Sequence, residues 1–335
     1  MSKKLRLIGY HPVTWSHRAH LGTATLRGGE CGRSAGFIPQ GPARCPLLRD
    51  KSRAPVAGPI PALSYRLNDG RSELHVQRVK HIYPLLIFMA VFSAQGEIVS
   101  KPVEYKQGET VLEGWSVYDD AVQGKRPAVL VVHQWKGLGN YEKKRAEMLA
   151  RLGYNVFAVD IYGKGIRPQT SQAAGAEAGK FKNNRALLRA RVRAGLDVLT
   201  NHQLTDPKRV AAIGYCFGGT TVLELARSGV EIAGVVSFHG GLSSPTPADA
   251  KNIKARVLAL HGADDPNVPP SEVAAFEDEM RQGGVDWQLI AYGGAVHSFT
   301  DWNAGNDNSK GAAYNERADR RSWDAMKQFF AELFK

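Results

Sequence analysis

The chain has 335 residues, of which 43% are hydrophobic and 23% charged, and this length suits one large domain or two small ones. Its formal net charge of +12 is concentrated at one end. Residues 1–95 hold 14 Lys and Arg against 4 Asp and Glu, which leaves 30 against 28 for the rest. Of the three cysteines only Cys216 follows residue 95, which excludes a disulfide framework or a cysteine metal cluster in that part of the chain.

Residues 1–78 show no sustained hydrophobic period and are rich in Arg, Gly and Pro. We therefore predict that they are disordered, or that they are a leader outside the native protein, produced by an overextended reading frame. A basic segment suits nucleic acid or an anionic membrane surface. However, no nucleic-acid motif accompanies the charges and no aromatic residues are interleaved with them, so we expect no nucleic-acid partner.

The segment 79–95 has the layout of a secretory signal peptide. A short basic start at residues 79–81 precedes an apolar run of 11 residues, 82–92, and small and polar residues follow. The run is shorter than the about 20 apolar residues that a bilayer span needs, so we expect no stable membrane insertion. If the segment directs export, the protein is periplasmic or secreted, and otherwise it is cytoplasmic. The alternative is a buried strand or helix of a genuine N-terminal domain.

From residue 103 onward, strand-like and helix-like segments alternate. The pattern predicts strands at residues 127–132, 154–160, 209–213, 232–237, 255–260 and 287–292, and helices at residues 141–152, 185–200, 220–227, 271–281 and 316–334. Such alternation predicts an α/β domain over residues 96–335, with a mainly parallel sheet and helices on both faces. The polar, Ala- and Gly-rich stretch 163–179 is predicted to be a mobile loop over a cleft.

Residues 214–219, with the sequence G-Y-C-F-G-G, carry the first chemical signal. They stand between the predicted strand 209–213 and the predicted helix 220–227. A strand, a tight glycine-flanked turn and a helix, with a reactive side chain at the apex, form a nucleophile elbow, and the apex residue here is Cys216. Unpaired N–H groups in the first turn of a helix favour a nearby thiolate. The alternative is a structural cysteine, since a free cysteine packs like a small hydrophobic residue.

A carboxylate and a histidine follow in the chain order that a triad takes on an elbow fold. Asp265 comes just after the predicted strand 255–260, in a G-x-x-D-x-x-V turn, and His297 comes just after the predicted strand 287–292. The register of the turn favours Asp265 as the acid. Asp264 is the alternative, or it caps the turn instead.

Three further histidines, His133, His239 and His261, also follow apolar strand-like runs. Each is therefore expected at the edge of the sheet where the cleft lies. None of them falls in the chain order that a triad needs. No pair of them has metal-ligand spacing on a helix, so we expect no metal.

These residue types in this order suit nucleophilic catalysis by a thiol. A free thiol has a pKa of about 8.5, so a base must take its proton near neutrality. His297 would take that proton, and Asp265 would fix the tautomer of the imidazole. The oxyanion would be held by the N–H of Phe217, next to the nucleophile, and by the N–H of Trp135, in the loop after strand 127–132.

The chain resembles the dienelactone hydrolase family over residues 97–335. The resemblance rests on G-Y-C-F-G-G at 214–219, G-x-x-D-x-x-V at 262–268, H-S-F at 297–299, V-V-H-Q-W-K-G-L at 131–138 and V-D-I-Y-G at 159–163. It implies a monomeric α/β-hydrolase fold that needs no cofactor. It also implies cleavage of a small-molecule ester or lactone by Cys216, His297 and Asp265 through an acyl-enzyme.

Three candidate substrate contacts test how closely the family pattern is kept. Family members often have a glutamate near the nucleophile that keeps the thiol protonated until substrate arrives; the matching residue is Gln134, so we expect His297 alone to control the thiol. Members that act on dienelactone hold its carboxylate with arginines, and one of these positions is Asp301 here. Arg185 matches a second such arginine loosely, or is a solvated residue at a helix start. We therefore expect a substrate other than dienelactone itself.

Two other functions are compatible with the same residues. One is a thioesterase, and the other is a non-catalytic small-molecule binding protein on the same fold, since a fold does not fix a function. The presence of a thiol, an imidazole and a carboxylate in triad order argues for an enzyme. Peptide-bond cleavage is disfavoured because no feature suits an extended peptide.

Overall fold

The computed structural model describes residues 96–335, and the interpretations of residues 1–78 and 79–95 lie outside the described residues. The strands are β1 (Ile98–Gln107), β2 (Thr110–Asp119), β3 (Arg126–Val132), β4 (Asn155–Val159), β5 (Thr205–Tyr215), β6 (Gly234–Phe238), β7 (Arg256–Gly262) and β8 (Trp287–Tyr292). The helices are α1 (Asn140–Ala150), α2 (Ser171–Lys182), α3 (Arg185–Thr200), α4 (Phe217–Arg227), α5 (Pro270–Gly283) and α6 (Glu316–Leu333). Every predicted strand and helix is present, with ends shifted by a few residues at most.

The eight strands form one sheet in the order β1-β2-β4-β3-β5-β6-β7-β8. β2 is antiparallel to both β1 and β4, and all other neighbours are parallel. Parallel neighbours need crossover connections, most of which the helices supply. The prediction of a mainly parallel sheet is confirmed. The β1–β2 hairpin at its edge was not predicted.

The sheet separates two apolar layers, one on each face. Successive side chains of a strand face opposite sides. In β3, Val129 and Val131 accordingly belong to the layer that contains α1 and α6, whereas Leu130 and Val132 belong to the layer that contains α3, α4 and α5. β4 and β6 are buried along their whole length, as expected of strands covered on both faces. The predicted placement of helices on both faces is confirmed.

The stretch 163–179 was predicted to be a mobile loop, and this prediction is wrong for its second half, where α2 begins at Ser171. Alanine is the best helix former, and the segment is rich in it. The side chain of Thr170 accepts a hydrogen bond from the N–H of Ala173 and so caps the helix. On its inner side the helix buries Phe181 against the core. A composition that is typical of a flexible loop therefore belongs, in α2, to a packed helix.

The loop that remains, residues 163–170, is held by Arg167. The guanidinium of Arg167 donates to the carbonyl oxygen of Leu138 at 2.6 Å and lies 3.6 Å from the buried carboxylate of Asp160. Arg167 therefore ties the loop after β4 to the loop after β3. These two loops form one wall of the cleft described below.

The parallel strands end at one edge of the sheet, and the candidate residues collect there. Cys216 follows β5, Asp265 follows β7 and His297 follows β8. Sheets of this type bind ligands outside the carboxyl ends of their strands. Among the described residues, no helix combines the length and the apolar composition that crossing a bilayer requires.

Candidate active site

Cys216 lies between β5 and α4 in a backbone conformation that is unfavourable for a residue with a side chain. Its φ is 55°, in the region that glycine normally occupies. The adjacent glycines give the turn its space. A Cβ on Gly214 would lie 2.0 Å from the carbonyl oxygen of Gly218, and a Cβ on Gly218 would lie 2.3 Å from that of Val132. The strand, tight turn and helix predicted around the thiol are therefore present.

The thiol, one imidazole and one carboxylate lie in a line. The Sγ of Cys216 is 3.1 Å from Nε2 of His297, and Nδ1 of the same ring is 2.8 Å from Oδ2 of Asp265. A carboxylate only accepts hydrogen bonds. Nδ1 of His297 therefore carries a proton, and Nε2 is the nitrogen that exchanges a proton with sulfur.

The carboxylate of Asp265 is itself fixed. Its side chain is fully buried, and its second oxygen accepts the N–H of Asn267 at 2.8 Å. Asp264, the alternative acid, is used elsewhere, since its Oδ2 accepts the N–H of Gly294 at 2.9 Å. It is Asp265 and not Asp264 that contacts His297.

The electrostatics favour a thiolate paired with an imidazolium. Burial would raise the pKa of the Cys216 thiol, but the charge and hydrogen bond of His297 outweigh the effect of burial. Lys182 and the N–H of Phe217 act in the same direction as His297, so the pKa of the thiol lies below its usual value. Burial would lower the pKa of His297, but the charge of Cys216 and the hydrogen bond to Asp265 raise it above its usual value. Each partner thus stabilises the charged form of the other.

Two backbone N–H groups beside the thiol are available to a ligand. Phe217 is the first residue of α4, where the helix supplies no acceptor for its N–H. Within residues 96–335, the N–H of Trp135 also has no hydrogen-bond acceptor. Both residues line the same cleft as Cys216 and His297. The arrangement can attack a carbonyl carbon and hold the negative charge that develops on its oxygen.

The sequence of residues 96–335 matches a known family over most of its length. The family model described as "Dienelactone hydrolase family" matches residues 113–334. The chain belongs to the dienelactone hydrolase family. It is therefore an α/β-hydrolase that acts on ester or lactone bonds, and the resemblance drawn from its motifs is confirmed.

Individual relatives agree with this assignment. The chain is 41% identical to a dienelactone hydrolase-like promiscuous phosphotriesterase from metagenomic libraries, with a TM-score of 0.69 over 72% of this chain and 100% of that one. It is 30% identical to a Bradyrhizobium protein named "Probable 2-oxo-3-(5-oxofuran-2-ylidene)propanoate lactonase", over 53% of this chain and 75% of the relative. A dienelactone hydrolase from Anabaena variabilis is 21% identical, with a TM-score of 0.51 over 71% of this chain and 98% of that one, and shares the fold.

The cleft of this dienelactone hydrolase family member has a volume of about 1080 Å³. Small-molecule sites usually measure about 300–1,000 Å³, so there is room for more than a single small ring. Its polar lining includes Gln134, Lys136, Arg167, Lys182, Asn267 and Asp301. Among the described residues, no group of three or more His, Cys, Asp or Glu side chains is arranged to hold a metal ion.

Two of the predicted substrate contacts, Gln134 and Asp301, lie in this cleft and bond to each other. Nε2 of Gln134 donates to Oδ2 of Asp301 at 3.1 Å, and the N–H of Asn303 donates to the other carboxylate oxygen at 2.9 Å. Gln134 thus takes the family's glutamate position without adding a negative charge. The carboxylate that does face the cleft at this point belongs to Asp301.

The third predicted contact, Arg185, is not among the residues that line the cleft. Its Nε lies 4.0 Å from Oε1 of the buried Glu224, where α4 meets α3. Arg189 bonds the other oxygen of Glu224 at 2.9 Å, and Arg227 lies at 3.1 Å from the first. Arg185 therefore belongs to a charged cluster that joins α3 to α4.

The importance of His239 was not recognised from the sequence. It is fully buried, and its Nδ1 accepts the N–H of Cys216 at 3.2 Å. Its φ of 40° is, like that of Cys216, unfavourable for a residue with a side chain. Strain of this kind is concentrated at functional sites. The available signal was its position directly after β6, at the same edge of the sheet as Cys216, Asp265 and His297.

Glu142 was also not recognised. It is 2% exposed, and its carboxylate accepts the N–H of Gln134 at 3.0 Å and that of Gly139 at 2.9 Å. Burial raises the pKa of this carboxyl group. Glu142 thereby holds both ends of the loop that carries Trp135. The signal was its position three residues after Gly139, the N-cap of α1, which is the spacing of a capping box.

Proposed function

We propose that Cys216, His297 and Asp265 form a catalytic triad that hydrolyses esters or lactones through a thioester intermediate. The single observation that supports this best is the alignment of Sγ, Nε2, Nδ1 and Oδ2 across 3.1 Å and 2.8 Å beside an open cleft. Sequence identity and fold support a hydrolase in general. The alignment supports these three residues as its chemical machinery.

The first half of the reaction acylates the thiol. The thiolate of Cys216 attacks the carbonyl carbon, and the electron pair of the C=O bond moves to oxygen, where the N–H groups of Phe217 and Trp135 bind it. The tetrahedral intermediate collapses and the C–O bond of the ester breaks. The leaving alkoxide takes the proton from Nε2 of His297. With a lactone, the resulting hydroxyl group stays attached to the acyl chain.

The second half releases the acid. Nε2 of His297, now neutral, takes a proton from a water molecule, whose oxygen attacks the thioester carbon. A second oxyanion forms at the same two N–H groups. Its collapse breaks the C–S bond, which restores the thiolate of Cys216 and the imidazolium and frees the carboxylic acid. Asp265 keeps the ring in one tautomer through both halves.

The substrate is expected to be uncharged where it approaches Asp301. A carboxylate at that point would face another carboxylate at short range, which is unfavourable. Lys136 and Lys182 also line the cleft, so the discrimination applies to this position and not to negative charge in general. Dienelactone itself carries a carboxylate, and we therefore expect it to be a poor substrate.

The proposal is tested with p-nitrophenyl acetate and the variants Cys216→Ala and Cys216→Ser. We expect turnover by the native protein, and loss of at least about 10³-fold in Cys216→Ala, since only binding and the oxyanion donors would remain. Iodoacetamide should abolish turnover in proportion to the alkylation of Cys216. Full activity of Cys216→Ala would contradict the proposal.

A second candidate activity is the hydrolysis of phosphotriesters. It is favoured by the 41% identity to a protein described as a promiscuous phosphotriesterase. The same thiolate would attack phosphorus, the P–O bond to the leaving p-nitrophenolate would break, and the same N–H groups would bind the phosphoryl oxygen. A water molecule deprotonated by His297 would then cleave the P–S bond and restore the thiolate. Release of p-nitrophenol from diethyl p-nitrophenyl phosphate, and its absence in Cys216→Ala, would support this activity. Equal release by the two proteins would exclude Cys216 as the nucleophile.

A further inference from the structure

The peptide bond between Gln134 and Trp135 is held by a buried histidine. Nδ1 of His133 lies 2.6 Å from the carbonyl oxygen of Gln134. The ring of His133 is fully buried, and it packs against Tyr162, at 4.7 Å between ring centres, and against Phe217, at 5.7 Å. A ring packed in this way cannot turn without displacing both neighbours.

The protonation state of His133 follows from its two contacts. The N–H of Ile161 donates to Nε2 at 3.2 Å, so this nitrogen carries no proton and accepts through its lone pair. Nδ1 must then carry the proton, and it donates to the oxygen of Gln134. Burial lowers the pKa of His133 to about 4. The ring is therefore neutral and in one tautomer at neutral pH.

The carbonyl oxygen of Gln134 and the N–H of Trp135 belong to one planar amide. A hydrogen bond that fixes the oxygen consequently fixes the direction of the N–H. It also draws electron density toward the oxygen, and hydrogen bonds linked in this way strengthen one another. The contact made by His133 therefore both orients and strengthens the N–H of Trp135 as a donor.

The neighbouring peptide groups are held as well. Glu142 accepts the N–H of Gln134 at 3.0 Å, and the hydroxyl group of Tyr162 donates to the carbonyl oxygen of Trp135 at 2.9 Å. Three buried or nearly buried side chains thus bind the groups on either side of one N–H. Within residues 96–335, that N–H is left without an acceptor.

We propose that His133 is a positioning residue for the oxyanion hole, acting through the Gln134–Trp135 peptide. This inference rests on the proposed function, in which the N–H of Trp135 binds the oxyanion. His133 does not contact the thiol or the imidazole of the triad. It should therefore affect acyl transfer and leave the ionisation of Cys216 unchanged.

The two nitrogens of His133 can be replaced one at a time. In His133→Asn the side-chain amide lies near the position of Nδ1 and can still donate to Gln134. In His133→Gln the amide reaches the position of Nε2, so its oxygen can still accept the N–H of Ile161. The carbonyl oxygen of Gln134 then loses the donor at 2.6 Å and keeps only the N–H of Gly137 at 3.2 Å. The two variants are matched in size and polarity and differ in which contact they keep.

Two measurements separate positioning from a structural effect. The first is kcat for p-nitrophenyl acetate. Loss of a whole oxyanion donor costs about 10²–10³-fold in kcat, so a misdirected donor in His133→Gln should cost about 10- to 100-fold, with His133→Asn retaining most of the turnover. The second is the pH dependence of Cys216 alkylation by iodoacetamide, followed by mass spectrometry of the Cys216 peptide. It should be the same in both variants and the native protein.

The inference is overturned if His133→Gln keeps native kcat, or if His133→Asn loses as much as His133→Gln. It is also overturned if the alkylation profile shifts along with kcat, because the residue would then act on the triad or on the fold. If His133→Gln does not fold, His133→Ala takes its place, since it also lacks a donor for the carbonyl oxygen of Gln134. A 10- to 100-fold loss of kcat with native alkylation then supports the inference, and native kcat overturns it. Cys216→Ala is measured beside these variants to distinguish failure of this inference from failure of the proposed triad. Retained turnover in Cys216→Ala would contradict the proposed function itself.

Discussion

The backbone of Cys216 is linked to helix α1 through His239 and Thr300. Since Nδ1 of His239 accepts the N–H of Cys216 at 3.2 Å, its Nε2 carries the proton and donates to Oγ1 of Thr300 at 2.7 Å. Oγ1 of Thr300 lies 2.7 Å from the hydroxyl group of Tyr141, which accepts from Nε of Arg145 at 3.1 Å. A buried chain of hydrogen bonds therefore runs from the backbone N–H of Cys216 to α1.

The first prediction concerns acid stability. Burial lowers the pKa of His239 well below 6.5, with further contributions from the charges of His297 and Arg145; Tyr215 and Cys216 also pack against it. Below pH 6.5 the unfolded chain binds a proton that the folded chain does not. Neutral His239 therefore costs the fold nothing above the unfolded pKa. Below it, the free energy of unfolding falls by about 1.4 kcal/mol per pH unit until the folded pKa is reached.

Urea unfolding at several pH values between about 4.5 and 8 measures this slope. The variant His239→Asn has no titrating group, and its amide can still accept the N–H of Cys216. Its free energy of unfolding should therefore fall less steeply with acid than that of the native protein. If the free energy of unfolding depends on pH equally in the two proteins, the pKa of His239 is not lowered in the folded protein.

The second prediction concerns the ionisation of the thiol. Because His297 lowers the pKa of Cys216, alkylation of that residue should have its midpoint below the about 8.5 of a free thiol. In His297→Gln the imidazolium is lost while burial remains, so the midpoint should move above 8.5. The rate of iodoacetamide labelling of the Cys216 peptide against pH gives both values. An unchanged midpoint in His297→Gln would be incompatible with an ion pair.

Gln134→Ala is the matched control for that experiment. Gln134 bonds to Asp301 and carries no charge, so its removal should leave the alkylation profile of Cys216 unchanged. The profile should contain a single thiol–imidazole couple. A further carboxylate-dependent step that disappears in Gln134→Ala would mean that this side chain controls the thiol after all.

The third prediction compares two adjacent carboxylates. Asp265→Asn should lower kcat by about 10²–10⁴-fold, because an amide can donate to Nδ1 and so favour the wrong tautomer of His297. Asp264→Asn should leave kcat within a few-fold, since its contact is with the N–H of Gly294, which an amide oxygen can still accept. Steady-state turnover of p-nitrophenyl acetate by the two variants is the measurement. Equal losses would refute the assignment of the acid.

The fourth prediction concerns substrate choice. In Asp301→Asn the side-chain oxygen can still accept from Gln134, but the negative charge is gone. We expect kcat/KM for an ester with a nearby carboxylate to rise about tenfold, which corresponds to about 1.4 kcal/mol. A neutral methyl ester of the same acid should change by less than twofold and serves as the control. An equal change in kcat/KM for both substrates would mean that the substitution acts by altering the structure of the cleft and not by removing a charge.

Much of this site was predictable because it follows short-range rules. Cys216 was identifiable from the strand, the glycines and the helix around it, and Asp265 and His297 from their positions just after strands. Parallel strands bring such positions to one edge whatever their distance in sequence. The structure brings these three side chains within hydrogen-bonding distance of one another.

The supporting residues were harder to predict because their partners are set by tertiary packing. His133 and His239 carry no local pattern that distinguishes a buried, singly protonated ring from an exposed one. Gln134 and Asp301 are 167 positions apart and meet only when the sheet forms. The helix α2 was mistaken for a loop because Ala and Gly are common to both, and burial of Phe181 decides between them. Arg185 looked like a substrate contact, but its guanidinium lies beside Glu224.

The most direct test of the account is to trap the thioester. The protein is mixed with p-nitrophenyl acetate, quenched with acid within the first turnover, digested, and searched by mass spectrometry for an acetyl group. We predict acetylation of the Cys216 peptide at up to one equivalent, appearing with the burst of p-nitrophenol and absent from Cys216→Ala. Rapid turnover with an unmodified Cys216 peptide, or an equal burst from Cys216→Ala, would contradict it.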